Sequence, residues 1–356
     1  MKEYKVIGLM SGTSLDGVDI AYCIFTEDNA QWEFKILNAE TVAYSQEWRN
    51  ILSSVKYINY ADFVQTDEDY GHYLGKLTND FIVRNKIQVD FVASHGHTVF
   101  HQPEKRLTVQ IGKGEAIASH LKCPVIFDFR SLDVALGGQG APLVPIGDKL
   151  LFGDYDYCIN IGGFANISFD KNQKRLAYDI CPANIIMNGL VQNLGKEFDE
   201  DGKIAKSGSV NEGLLQDLNK LEYYFKNYPK SLGKEWVVDK FQPILDSFSI
   251  SIEDKLRTLI EHISFQITNQ FDGKQGSNIL FSGGGVKNKF LMERISHKTK
   301  NNIVIPDEII IDFKEAMIFA FLGVLRFRNQ VNCLSSVTGA SRDSVCGIII
   351  SPHKKV

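Results

Sequence analysis

The chain has 356 residues, of which 44% are hydrophobic and 23% charged, with a formal net charge of -4. That length allows two domains of ordinary size, each with its own core, and the composition is that of a soluble globular protein. A slightly acidic chain offers no basic field for a polyanion, and no apolar run approaches the roughly 20 residues that span a bilayer, so neither nucleic acid nor a membrane is expected as a partner.

Six cysteines (Cys23, Cys123, Cys158, Cys181, Cys333, Cys346) are scattered without CxxC pairing. They fit buried thiols in a reducing compartment better than a disulfide framework or a zinc site. The first residues, MKEYKVIGLM, interleave charge with a short apolar run and enter a strand directly, so a cytoplasmic protein is expected.

The chain opens on two apolar stretches, YKVIGL and IAYCIF, joined by MSGTSLDGVD from Met10 to Asp19. Their patterning predicts a β-hairpin, with Asp16 and Gly17 supplying the turn. Gly12, Thr13 and Ser14 precede the bend, where small residues let backbone N–H groups and two hydroxyls converge on an oxyanion. An ordinary tight hairpin explains the same residues. WEFKILNAETVAYS predicts a third strand, and residues 45–86 carry a helical pattern with Phe63, Tyr70, Tyr73, Leu74 and Leu77 on one face. VDFVASHGHTVF, LTVQIG and CPVIFDF read as strands and EAIASHLK as a short helix, which together make a mixed α/β sheet.

The glycine- and proline-rich run from Leu136 to Asp148 reads as a crossing between domains. Beyond it, YDYCINIGGFANISF repeats the logic of the first hairpin and suggests internal duplication. An amphipathic helix follows with Leu256, Leu259, Ile260, Ile263 and Ile267 in one stripe. NILFSGGGVKN is then a strand running into a glycine turn, NNIVIP another strand, and EAMIFAFLGVLRF a buried helix with Glu315 in its first turn. A carboxylate there suits the helix dipole whether or not it has a further task.

Neither a P-loop nor a Rossmann glycine motif is present, so phosphate must be held by other turns, if at all. Asp179, in LAYDICPANIIMN, ends a strand ahead of a helix, a position from which side chains reach a cleft and also one from which they cap the helix. His95, His97 and His101 alternate along one strand without an acidic partner at metal-site spacing. Arg130 follows a buried strand, where its planar fork suits a carboxylate or an anchoring contact with Asp128 or Asp133.

Several uncommon strings together carry a resemblance. They are GLMSGTSLDGVDIA, SHG with Thr98 and Val99, DFR with GGQGAPLVP, NIGGFANIS, LFSGGGVKN, FDEDGKIA, YPKSLGKEW and SVTGASRDSVCG. In this order and spacing the chain resembles the anhydro-N-acetylmuramic acid kinases, of the sugar-kinase and actin superfamily. The resemblance implies a two-domain actin-like ATPase fold (ribonuclease H-like, hexokinase type) with an interdomain active-site cleft. It places domains at residues 1–135 plus about 330–356 and at 136–330.

It also implies ATP and Mg2+ as cofactors, a small sugar as partner and a homodimer. ATP phosphate contacts fall to Gly12, Thr13, Ser14, Leu15, Asp16, Gly17, Val18 and Asp19, and to Gly162, Gly163 and Asn166. Adenosine contacts fall to Gly283, Gly284 and Gly285. Asp179 is the implied general base, Glu315 holds metal or substrate, and His95, Arg130 and Asn184 meet the sugar. The family's Thr-Gly-Pro-Gly-Asn after the base reads Ile180, Cys181, Pro182, Ala183 and Asn184 here, its Ala and Phe-His read Ile146, Gly147 and Asp148, and its Gln reads His97. Those departures keep open a kinase for another sugar, and a nucleotide-binding regulatory protein is the reading from another class.

Overall fold

The computed structural model describes residues 2–12, 15–29, 31–271 and 275–352. Its contacts divide the chain into two compact units, Met1–Leu151 with Phe313–Val356, and Phe152–Asp312. The glycine-rich run expected to begin the second domain at 136 therefore packs with the first unit. There the Gln139 N–H donates to the Thr338 carbonyl at 2.8 Å and the Gly140 N–H to the Asp133 carboxylate at 2.8 Å.

The strands among the described residues are β1 (Lys2–Ser11), β2 (Gly17–Asp28), β3 (Gln31–Ala43), β4 (Phe91–Gln102), β5 (Leu107–Ile111), β6 (Val125–Phe127), β7 (Tyr157–Ile161), β8 (Phe164–Lys171), β9 (Lys174–Pro182), β10 (Asn278–Ser282), β11 (Asn302–Val304) and β12 (Ile348–Ile350). The first unit holds a sheet in the order β12-β6-β4-β1-β2-β3, with β5 paired to β4. β2 runs antiparallel to β1 and β3, while β1, β4 and β6 are parallel. The second unit repeats this plan in the order β11-β10-β7-β8-β9, with β8 antiparallel to its neighbours and β7, β10 and β11 parallel. Two mixed α/β units with the same strand order and directions form the actin-like ATPase architecture that the sequence resembles, and they give the suspected duplication a structural basis.

Burial explains the sequence patterns. β1 reads as a near-continuous apolar run because both of its faces are covered. Ile7 and Leu9 lie in one core with Tyr70 and Leu74 of the helix Tyr60–Asn85. Gly8 faces the helix Glu308–Phe327, where a Cβ would stand 1.9 Å from the Ala316 carbonyl oxygen. β3, at the sheet edge, alternates exposed and half-buried residues instead. In the second unit the helix Ile252–Thr268 buries its predicted stripe, Leu256, Leu259, Ile260, Ile263 and Ile267, in the core that contains Ile159, Ile161, Ile279 and Phe281. Ser251 caps this helix through the Asp254 N–H at 3.1 Å.

One expectation is corrected. The helix carrying Glu315 begins at Glu308, not at Lys314, so Glu315 is its eighth residue and lies beyond the reach of the N-terminal dipole. Three consecutive isoleucines, Ile309 to Ile311, hide the helix start because β-branched residues read as strand. Dipole stabilisation therefore cannot account for the carboxylate at this position.

No helix among the described residues is long and apolar enough to cross a membrane. The tight approach at Gly8 gives the first prediction. Gly8→Ala should cost about 2–3 kcal/mol through overpacking, read as a lower urea midpoint; an unchanged midpoint would show that the strand and helix do not meet as described.

Candidate active site

In the first unit the hairpin turn between Ser11 and Gly17 includes Thr13 and Ser14, which lie outside the described residues. Gly12 is half-buried, and Leu15 adopts a left-handed conformation with φ of 62° while packing toward the core. The Asp16 side chain is exposed and its carbonyl accepts the Tyr44 N–H at 3.2 Å. Gly17 abuts the Val42 carbonyl, and Val18 is fully buried in the core. Leu15, Gly17 and Val18 therefore have only backbone to offer a phosphate. Asp19, half-buried, accepts a 2.6 Å hydrogen bond from the Thr41 hydroxyl.

Beneath this turn lies a hydroxyl network that sequence reading missed. The Ser11 hydroxyl is 2.6 Å from Tyr44 OH, 2.9 Å from Tyr70 OH and 3.1 Å from His97 Nδ1. Burial pushes the His97 imidazole down to about 4, so it is neutral. The signal available in the sequence was the position of His97 on a strand facing the end of the first hairpin.

Arg130 and His95 are brought together. Arg130 Nε and Nη2 lie 3.0 and 2.8 Å from His95 Nε2, and Nη1 donates to the Gly140 carbonyl at 2.6 Å. Since a guanidinium only donates, His95 Nε2 must accept, which leaves the proton on Nδ1 to donate to the Gly96 carbonyl at 2.9 Å. Burial first and the Arg130 charge second hold His95 well below the usual histidine range, so this neutral tautomer persists. Burial lowers Arg130 to about 10, and it stays cationic. Three of its five N–H groups are filled, leaving two for an incoming acceptor.

Asp128 does not anchor Arg130; it caps the next helix through the Ser131 N–H at 3.1 Å. Asp133 fixes the loop instead, accepting from Gly140 and from the Thr338 hydroxyl at 2.7 Å. Glu315 reaches solvent, yet its carboxyl is pushed up from the ordinary value. Desolvation by surrounding protein is the largest cause, Arg130 opposes it and Asp19 adds to it, so two carboxylates share this field. Lys314, beside Glu315, forms a buried ion pair with Asp148 at 2.7 Å.

In the second unit, Ser282, Asn160, Asn166 and Asp179 occupy paired positions across β10, β7, β8 and β9. Paired residues project from the same face, so these make one polar row across the sheet. Asn160 was missed although it interrupts the buried pair Ile159 and Ile161. Gly162 and Gly163 turn between β7 and β8, and no protein atom comes within 3.5 Å of a Cβ placed on Gly162 or 3.8 Å of one on Gly163. Those distances are ordinary contact, so packing does not require glycine at either position. Gly283, at φ +82°, approaches the Ile161 carbonyl too closely for a side chain, and Gly285 packs on Ile161, whereas Gly284 faces open space.

Asp179 is not a helix cap. The helix Asn184–Gln192 starts after Ala183 with no side-chain cap, and the Ala183, Asn184 and Ile185 N–H groups donate to the Gly162 and Gly163 carbonyls at 2.8–3.2 Å. Asn184 is thereby placed beside the Gly162 turn. The Asp179 carboxylate accepts instead from the Leu232 N–H, at 2.8 Å on Oδ2. Its backbone is held by Tyr223 OH on its carbonyl at 2.6 Å and by the Lys230 carbonyl on its N–H at 3.3 Å. Burial raises the carboxyl from its ordinary value while the Leu232 bond opposes the rise, and Oδ1 has no protein partner among the described residues.

His95, His97 and His101 do not converge. His95 turns to Arg130, His97 to Ser11 and His101 to Thr108, and no group of three or more His, Cys, Asp or Glu among the described residues could hold a metal.

Comparison with known proteins places the chain in a family. The family profile described as anhydro-N-acetylmuramic acid kinase matches residues 4–352. A relative of that name from Aliivibrio fischeri is 34% identical over 364 residues, covering 97% of this chain and 98% of the relative. Relatives of the same name from Vibrio parahaemolyticus and Sulfurimonas denitrificans are 35% and 32% identical, each over 98% of this chain and over 98% and 100% of their own. Among solved structures, an activator of 2-hydroxyisocaproyl-CoA dehydratase from Clostridium difficile with bound ADPNP overlaps 89% of this chain and 92% of its own, at TM-score 0.43 and 13% identity. Component A of (R)-2-hydroxyglutaryl-CoA dehydratase from Acidaminococcus fermentans does so over 89% and 96%, at TM-score 0.46 and 9% identity.

The depressed histidine gives a pH prediction. The unfolded chain protonates His97 near 6.5 and the folded chain only near 4, so stability is lost as pH falls between those values. Relative to His97→Gln, the wild type should lose on the order of 2 kcal/mol of unfolding free energy between pH 7 and pH 5, measured by urea melts. Parallel pH profiles would contradict a neutral buried His97.

Proposed function

Because the chain belongs to the anhydro-N-acetylmuramic acid kinase family, we propose that it uses ATP to convert 1,6-anhydro-N-acetylmuramic acid to N-acetylmuramic acid 6-phosphate in cytoplasmic recycling of cell-wall sugars. Water attacks the anomeric carbon, the bond from that carbon to O6 breaks, Asp179 takes the water proton, and O6 receives the γ-phosphoryl group as ADP leaves. The observation that carries this reading is the state of Asp179. One carboxylate oxygen is tethered to Leu232 and the other is left for a water, while partial burial makes the group more basic than a free aspartate.

The rest of each unit supports the assignment. The two N–H groups left on Arg130 match the lactyl carboxylate of a muramic sugar, and His95, with both ring nitrogens engaged, acts by orienting that fork. The open space at Gly284, and glycine at 162 and 163 where packing does not demand it, suit close approach of a nucleotide, and a glycine at position 12 suits a turn that holds phosphate through backbone donors. Asp19 raises the Glu315 carboxyl while Arg130 and Lys314 lower it, and two carboxylates in one field would suit magnesium, which takes one or two carboxylates beside substrate phosphates. When bound, magnesium neutralises charge on the phosphates.

The positions where this chain departs from its family do not alter the exposed surface. Ile180, Cys181, Ala183 and Ile146 are buried, and Asp148 is paired with Lys314. That favours the anhydro sugar over another substrate.

Asp179→Asn should lower kcat for ADP release with 1,6-anhydro-N-acetylmuramic acid by about 10²–10⁴-fold and leave ATP binding intact; near-normal turnover would remove Asp179 as the base. Arg130→Lys should raise KM for the anhydro sugar roughly tenfold or more, by losing the planar fork, with a smaller change in kcat. An unchanged KM would remove Arg130 from sugar binding.

A further inference from the structure

On the second unit a recess of about 390 Å3 opens beside β9, lined by Tyr178, Tyr228, Lys226, Lys230, Asn219 and Gln266 among others. That volume holds a monosaccharide derivative. No carboxylate among the described residues lines it. Tyr178 and Tyr228 stack in parallel at 5.5 Å, forming an aromatic wall.

A chain of hydrogen bonds orients the Asn219 amide at the recess. His262, buried and lowered to about 3, is neutral. Its Nδ1 lies 2.7 Å from Asn219 Oδ1 and its Nε2 2.9 Å from Tyr224 OH. Asn219 Oδ1 also accepts from Gln266 Nε2 at 2.9 Å. With its oxygen taken by two donors, Asn219 presents its NH2 group to the recess. The Lys230 ammonium lies over the Tyr178 and Tyr223 rings at 5.6 and 4.8 Å and has no carboxylate partner among the described residues. Half-buried, it is a cation for which the described residues supply no counter-charge.

Of the two lysines in this aromatic-walled recess, Lys226 is ion-paired with the exposed Glu222 at 3.3 Å and Lys230 has no carboxylate partner among the described residues; from it we infer a second binding site for a sugar phosphate, separate from the catalytic residues. The phosphate would pair with Lys230, Asn219 would donate to a sugar oxygen, and the ring would lie against the tyrosines. The site is coupled to Asp179. The Lys230 carbonyl accepts the Asp179 N–H, Leu232 two residues on donates to its carboxylate, and Tyr223 beneath the ammonium donates to its carbonyl. An anion that draws Lys230 off the Tyr223 ring disturbs this hold, so occupancy lowers turnover. This last step rests on Asp179 being the base, and the sugar phosphate released by the proposed reaction is then an inhibitor at a second site.

Calorimetry of the full chain with N-acetylmuramic acid 6-phosphate should give two molecules bound. The second should weaken by about tenfold or more in Lys230→Gln, which removes the ammonium, and in Asn227→Asp, which places a negative charge in the recess without touching Asp179. In kinetics the same compound should lower kcat at saturating anhydro sugar, and both variants should relieve this. A single site, inhibition purely competitive with the anhydro sugar, or indifference to both variants would overturn the inference and leave the proposed reaction standing. Inorganic phosphate binding as tightly as the sugar phosphate would overturn recognition of the sugar. A chain inactive on the anhydro sugar that still binds the sugar phosphate through Lys230 would sink the proposed reaction and not the site.

Discussion

A single hydrogen bond, from the Leu232 N–H to one oxygen of Asp179, sets the state of the carboxylate that we propose as the base. Withdrawing a carboxylate from water raises its proton affinity, which a base needs, but full withdrawal would leave it protonated and useless. One backbone donor limits the rise and fixes the carboxylate plane, so the untethered oxygen has a defined direction. The donor comes from a segment 53 residues further along the chain, held in place through Lys230 and Tyr223. The long excursion between the helix at Asn184–Gln192 and the helix at Ile252–Thr268 thus includes the segment that fixes the orientation of one side chain.

The first unit solves the opposite problem, keeping a cation available. Had Arg130 paired with a carboxylate, its charge would be cancelled inside the protein. It rests on a neutral imidazole instead, which accepts two of its N–H groups and adds no negative charge. Burial maintains that neutrality, and the Gly96 carbonyl selects the tautomer. Asp133 ties the Arg130 loop to Thr338, so the last segment of the chain stiffens the site without reaching it.

Local patterning made the elements legible where one face is buried, as in the stripe from Leu256 to Ile267, and the glycine turns could be placed because each follows a strand. It misplaced the start of the helix at Glu308, because Ile309 to Ile311 obey strand propensity while tertiary packing makes them helical. The resemblance gave Leu15 and Val18 to the phosphate turn, and since the side chain of each turns to the core, only their backbone is left for that role. Asp179, Arg130 and His95 could be picked out as polar residues at strand ends. Their partners could not, since Leu232, Gly140 and Tyr223 meet them through backbone atoms or from distant sequence, and hydrogen bonds of that kind leave no residue-type signature.

The two units share one strand order, yet their strand ends carry different chemistry. At the end of β1 a Ser, two Tyr and a neutral His satisfy one another, whereas β7, β8 and β9 present a row of two amides and a carboxylate. Topology therefore fixes where functional side chains stand, and the residues at those places fix what they do. In each unit the supporting bonds are closed among its own residues: Arg130 by His95 and Gly140, Asp179 by Leu232, Lys230 and Tyr223. If Arg130 and Asp179 act as proposed, each is oriented before substrate arrives, so little binding energy is needed to order it and more remains for the transition state.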